Sequence, residues 1–113
     1  MTVQTLPTIA PKTTADVLRH AALVLEERGW VQGKLADADT GAVCALGALN
    51  VAVTGAALGT KGEDSDFAAV ERAALMAELF TNGQPLTTWN DNFAHAREDV
   101  TALFRKAAEM SDD

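Results

Sequence analysis

Between residues 13 and 110 apolar side chains return every three or four positions, and the rhythm breaks at Gly29, at Gly55 and at Asn82-Gly83. That spacing predicts four amphipathic helices. The first starts at a capping box, with Thr13 accepting from the free amides and Asp16 bonding back. Its stripe is Val17, Leu18, Ala21, Ala22, Val24 and Leu25, and Arg28-Gly29 closes it with Trp30 folded onto the last turn. The second runs from about Val43 to Thr54. Cys44, Ala48, Ala52 and Ala56 form its smooth ridge, with Leu46, Leu49 and Val53 beside them. The third is capped by Ser65 and lasts to about Phe80, on a buried stripe of Phe67, Val70, Ala74, Ala77 and Phe80. Ala69, Ala73, Met76 and Leu79 widen that stripe, and Glu71 and Glu78 mark its wet side. The fourth spans about Ala94 to Met110, burying Ala96, Val100, Leu103, Ala107 and Met110.

The remaining segments carry other signals. Residues 1–12, with Pro7 and Pro11, read as an extended arm, and residues 111–113 as an acidic tail. The turn cluster Asp37 to Gly41, between Val31/Leu35 and Ala42/Val43, suits a minor β-hairpin or an ordered loop between the first two helices. Leu86 to Asn92 is short enough for one helical turn or a structured loop. With no long alternating strand and no repeat, the expected fold is all-α: a single compact four-helix domain over residues 13–110.

Composition sharpens this picture. A chain of 113 residues, 48% apolar, forms one domain with a real core. Its net charge of −7 is unevenly placed: residues 1–62 are neutral, while residues 63–113 hold eleven acids and four bases. Direct nucleic-acid binding is not expected from such a surface. The single cysteine, Cys44, excludes an internal disulfide, and the first eleven residues lack the basic start and apolar run of a signal peptide, so a cytoplasmic location is expected. The uncharged run Ala42 to Thr60 approaches the roughly 20 residues of a membrane span. Gly47, Asn50, Thr54, Gly55 and Gly59 dilute it, so a buried helix is expected and no membrane contact. Twenty-two Ala against one Ile and no Tyr match a GC-rich genome, such as that of an actinobacterium or its phage.

Five elements then carry a resemblance: Ala15-Asp16-Val17-Leu18, Arg28-Gly29-Trp30 with Gly33, Cys44-Ala45-Leu46-Gly47-Ala48-Leu49, Trp89-Asn90-Asp91, and the amphipathic run Val100 to Ala108. Together they resemble a family of short uncharacterised proteins of actinobacteria and their phages, over roughly residues 13–110. The resemblance implies one small domain and brings no activity with it. The chain departs from the pattern after Asp91, where a Pro-Gly type turn is replaced by Asn92-Phe93-Ala94.

Candidate chemistry gathers on few residues. Cys44, in the first turn of the second helix, would gain thiolate character from the helix dipole, with His95 or His20 as base and Asn90 as orienting group. Free cysteine is also among the most buried residue types, and the packed reading outweighs the reactive one. Asp91, His95 and Asp99 stand at i, i+4 and i+8 with Glu98 alongside, but acids at a helix start are explained by the dipole, and no metal site or cofactor is expected. Trp30 and Trp89 read as anchors over the ends of the bundle, or else as recognition aromatics with Asn90 and Asp91 supplying polar contacts.

The candidate binding residues are therefore Trp30, Cys44, Trp89, Asn90 and Asp91. The function expected first is a small acidic cytoplasmic interaction module, phage or mobile-element encoded, that binds and modulates a host protein. The alternatives are a small enzyme or ligand-binding protein with its site at Cys44, Trp89, Asn90 and His95, and a nucleic-acid mimic built on the acidic C-terminal half. A homodimer is compatible with the apolar helix faces and is not required by them.

Overall fold

The structure, a computed structural model, describes residues 13–58 and 64–111. The arm expected over residues 1–12 and the last two residues of the acidic tail lie outside the described residues. Five helices are present among those described: α1 (Thr14–Arg28), α2 (Ala45–Thr54), α3 (Asp64–Glu78), α4 (Leu86–Asn92) and α5 (Arg97–Met110). The expected all-α class stands, and the expected count of four is corrected to five. The additional helix is α4, whose ends are completed from elsewhere in the chain. Its first amide, Leu86 N, donates to the Glu78 carboxylate over 2.7 Å, which replaces the side-chain cap that Pro85 cannot supply. At its other end the carbonyls of Asn90 and Asp91 accept from the Gln32 carboxamide, 58 and 59 residues away. A reading of local caps has no access to partners so distant.

α1 is the centre of the molecule, with α5 and α2 packed on it and α3 closing a further side. Its buried residues include all six of the stripe assigned from the sequence. Phe104 of α5 is the largest wholly buried side chain, in one cluster with Leu18, Leu25 and Leu49. Each such side chain contributes roughly 1.5–3 kcal/mol by leaving water. An exposed pair, Arg105 to Glu26 at 2.7 Å, joins α5 to α1 and adds little beyond that. α1 starts with Thr13 Oγ1 accepting from Asp16 N at 3.0 Å, and Gly29, at φ +96°, ends it by donating to Leu25 O.

Several boundaries and faces differ from the periodicity. α2 starts at Ala45, with Cys44 as its cap rather than in its first turn. α5 starts at Arg97, because the Asp99 carboxylate reaches back to accept from both His95 N (2.7 Å) and Ala96 N (3.2 Å), and so fixes Ala96 outside the helix. Met110, expected to be buried, is 62% exposed at the last residue of α5. Phe67 of α3 and Leu79, one residue past its end, are expected in the core and are 44% and 70% exposed. The buried line is Val70, Ala73 and Ala77, a narrower stripe of mostly small residues.

Residues 29–44 form an ordered loop, not a hairpin. Val43 is bridged by Trp30 on one side in parallel and by Ala36 on the other in antiparallel sense, with no ladder to either. No helix among the described residues is long and apolar enough to cross a membrane, and the uncharged run folds into the 10-residue α2 followed by a left-handed turn at Gly55.

Candidate functional site

The loop between α1 and α2 doubles back on itself before it meets α4. Val31 N donates to Val43 O and Val43 N to Gly29 O, both at 3.0 Å, while Cys44 N donates to Leu35 O at 3.1 Å. This folds two passes of loop around Val43 and sets the Trp30 side chain against α4. Its indole Nε1 donates to Asn90 Oδ1 over 2.7 Å, and not to the last turn of α1. The same oxygen accepts from Ala45 N at 2.9 Å, one of the free amides that open α2. Asn90 Nδ2 donates to Val31 O (3.3 Å) and to Asp91 Oδ1 (2.9 Å). All four hydrogen-bonding positions of the carboxamide are thus filled, on a side chain with no exposed surface. The amide orientation follows from its partners, since an indole N–H and a backbone N–H can only donate.

Two further residues lock the same junction. Gln32 Nε2 donates to the carbonyls of Asn90, Asp91 and Ala94 at 3.0–3.2 Å, satisfying the C-terminal end of α4. Gly33 N donates to Asp91 Oδ1 at 2.9 Å. Trp30, Asn90 and Asp91 therefore form a clamp that ties loop 29–44 and the start of α2 to α4. Gln32 and Gly33 belong to it; Gly33 entered the sequence reading only through the family resemblance, and Gln32 not at all. Trp89 does not join: it is half-buried against the hydrophobic core, and its carbonyl accepts from Phe93 N and Ala94 N.

Cys44 lies beside the clamp and is buried, 3% exposed. Its sulfur caps α2 by accepting from Gly47 N at 3.3 Å. Burial pushes the thiol above its ordinary pKa, and the Asp91 carboxylate adds to the shift, outweighing the amides of Gly47 and Leu46 that favour the thiolate. The expectation of an activating helix terminus fails because desolvation is the larger effect. His95 is exposed on the α4–α5 connection with its backbone N–H on Asp99, and His20 Nε2 is buried in α1 without a hydrogen-bond partner. Asp91 and Asp99 are engaged with backbone amides, and among the described residues no group of three or more His, Cys, Asp or Glu is placed to hold a metal ion.

Gly47 explains why Cys44-Ala-Leu-Gly is a unit. A Cβ at position 47 would collide with the Leu35 carbonyl and crowd Val43 Cβ at 3.3 Å. Glycine in a helix interior costs about 1 kcal/mol relative to alanine, which is the one sequence signal for this close approach. A cavity of about 200 Å³ opens next to it, lined in part by Lys34, Cys44 and Asp91.

A larger depression, about 310 Å³, lies between α3 and α4. Phe67, Val70 and Ala74 of α3 line it opposite Leu46, Pro85 and Leu86. Phe67, Glu71, Ala74 and Glu78 fall at i, i+4, i+7 and i+11, so one stripe of α3 faces this groove and carries its two carboxylates. Leu75 on the adjoining side of α3 and Leu79, one residue past its end, are 56% and 70% exposed and add apolar surface. Val70 is buried as its position in the stripe predicts, whereas Phe67 is exposed, because an exposed apolar stripe and a buried one have the same period.

In comparison with known proteins, the model of a family of unknown function, DUF6197, matches residues 10–110. No curated protein and no solved structure matches the chain.

Proposed function

We propose that this chain, which belongs to the DUF6197 family, is a protein-interaction module that docks through the α3–α4 face. The observation that carries the reading is a contrast between the two candidate regions. At the Trp30–Asn90 clamp the polar groups are used internally: Asn90 has no free valence, Asp91 and Gln32 hold backbone, and Cys44 is a buried cap whose thiol is pushed above its ordinary pKa. Chemistry on a substrate needs free groups at that position. At the α3–α4 face, by contrast, Phe67, Leu75 and Leu79 expose large apolar surface beside an open groove. Contiguous apolar surface of this kind marks contact sites. The acidic balance of residues 63–113 supports a partner that is a protein rather than a nucleic acid. The biological setting belongs to the same proposal: a cytoplasmic protein of an actinobacterium or its phage, modulating a host protein.

The test is capture of tagged wild-type protein and of a Phe67→Glu/Leu79→Glu variant from an actinobacterial lysate, with quantitative mass spectrometry. Both positions are exposed, so circular dichroism and melting of the variant should match the wild type. A saturable partner lost in the variant supports the reading. A partner retained by the variant, or no enriched protein at all, counts against it.

A further inference from the structure

The groove between α3 and α4 has a chemistry that restricts what can fill it. Its floor is apolar, and the charged side chains that line it among the described residues are both carboxylates, Glu71 and Glu78. They stand seven residues apart on α3, about 10 Å along the helix axis. Ala74 lies between them on the same stripe and is the smallest of the side chains that line the groove with it, Phe67 and Leu86 among them. Glu78 is held in place by the bond it accepts from Leu86 N, so one charge is fixed at the groove edge before anything binds. Among the described residues no lysine or arginine lines the groove.

Resting on the docking reading above, we infer that the occupant is a cationic, apolar peptide segment of a partner protein: one bulky apolar anchor over Ala74, with Lys or Arg within a few residues on each side to meet Glu71 and Glu78. In an extended chain side chains on one face recur about every 6.6 Å, so basic residues two positions before and two after the anchor share its face and stand about 13 Å apart, close enough for their long side chains to meet both carboxylates. A second copy of this chain is a poorer occupant. Two-fold pairing of this face would set Glu71 and Glu78 against their counterparts, in a chain whose net charge is already −7. Acidic peptides and nucleic acids are repelled by the same pair. A neutral apolar ligand would leave both carboxylates without a counter-charge.

The experiment titrates isotope-labelled full-length protein, followed by amide resonances, with three short peptides that share a central tryptophan and differ only in its flanks: arginine, glutamine or glutamate. The arginine-flanked peptide is expected to shift the resonances of residues 67–78 and 86–87. It should bind at least tenfold more tightly than the glutamine-flanked one at about 20 mM salt, with the gap shrinking at about 500 mM. Glu71→Gln/Glu78→Gln should remove the gap and leave the fold intact, because a glutamine carbonyl still accepts from Leu86 N. Ala74→Leu, which adds bulk to the groove floor, should abolish groove binding of the arginine- and glutamine-flanked peptides. Equal binding of the arginine and glutamine peptides at the groove overturns the inference and leaves the docking reading standing. Shifts confined to other acidic positions, or no shift with any peptide, overturn the inference as well. The docking reading itself is decided separately by the Phe67→Glu/Leu79→Glu capture.

Discussion

Replacing Asn90 with alanine should cost more than any other single polar truncation in this domain. The substitution leaves Ala45 N, a buried helix-start amide, and Trp30 Nε1 without the oxygen they share, and it strips Val31 O of its donor. An unsatisfied buried donor costs about 1–3 kcal/mol. Two donors give about 2–6 kcal/mol, and because Trp30 and Val31 are half-buried, water can recover part of the loss. The expected destabilisation is thus about 3–5 kcal/mol, a large share of the roughly 5–15 kcal/mol that holds a domain folded. In thermal terms this is a fall of roughly 15 °C. Urea unfolding monitored by tryptophan fluorescence and by circular dichroism measures it, with the Trp30 indole N–H resonance as a local reporter. Asn92→Ala is the control: that side chain is exposed and donates to Thr88 O within its own helix, so a change within about 0.5 kcal/mol is expected. A loss below about 1 kcal/mol for Asn90→Ala, with the Trp30 indole signal unmoved, would refute the clamp.

Two further outcomes follow from the neighbouring residues. Gly47→Ala should destabilise by about 2 kcal/mol or more despite the better helix propensity of alanine, because the new methyl meets the Leu35 carbonyl; a neutral or stabilising result in the same urea assay would show that the loop can step aside. Cys44 should resist a disulfide reagent in the native state at pH 8 and react on unfolding. Its pKa is raised by folding, so the stability it contributes is present below the unfolded value and is lost as pH rises through the folded one. Wild-type stability should therefore fall more steeply than that of Cys44→Ala above about pH 8.5; parallel pH profiles would exclude a neutral buried thiol.

The parts of this fold legible in the sequence are those determined by neighbours within a turn or two. The α1 stripe, the Thr13 cap and the Gly29 stop depend on residues close in the chain, and they stand where the periodicity puts them. The missing pieces depend on distant partners: α4 is capped by Glu78 and Gln32, and Cys44 is held outside α2 by a loop carbonyl on one side and a glycine on the other. Of the five candidate residues, Trp30, Asn90 and Asp91 do meet, with Cys44 alongside. Their identities gave no means of telling a satisfied clamp from a binding site, because both use the same polar groups at the same spacing. The distinction lies in whether each valence is already filled, which only the three-dimensional arrangement shows. The exposed α3 stripe was hidden for a related reason, since helical period does not reveal whether another element covers the face.

The Trp30–Asn90 clamp joins residues sixty apart in the chain, and this has a consequence for the order in which the molecule assembles. Closing so long a loop costs chain entropy before the first of its bonds returns anything, so contacts of this kind form late. The pairing of α1 with α2 can proceed beforehand, but the connection between them stays unfinished until residue 90 arrives. On a ribosome, the first half of the protein would wait for the second with an indole and an amide still bonded to water. In kinetic measurements Asn90→Ala should accordingly speed unfolding and leave the folding rate nearly unchanged, whereas a slowed folding limb would place the clamp in the folding nucleus.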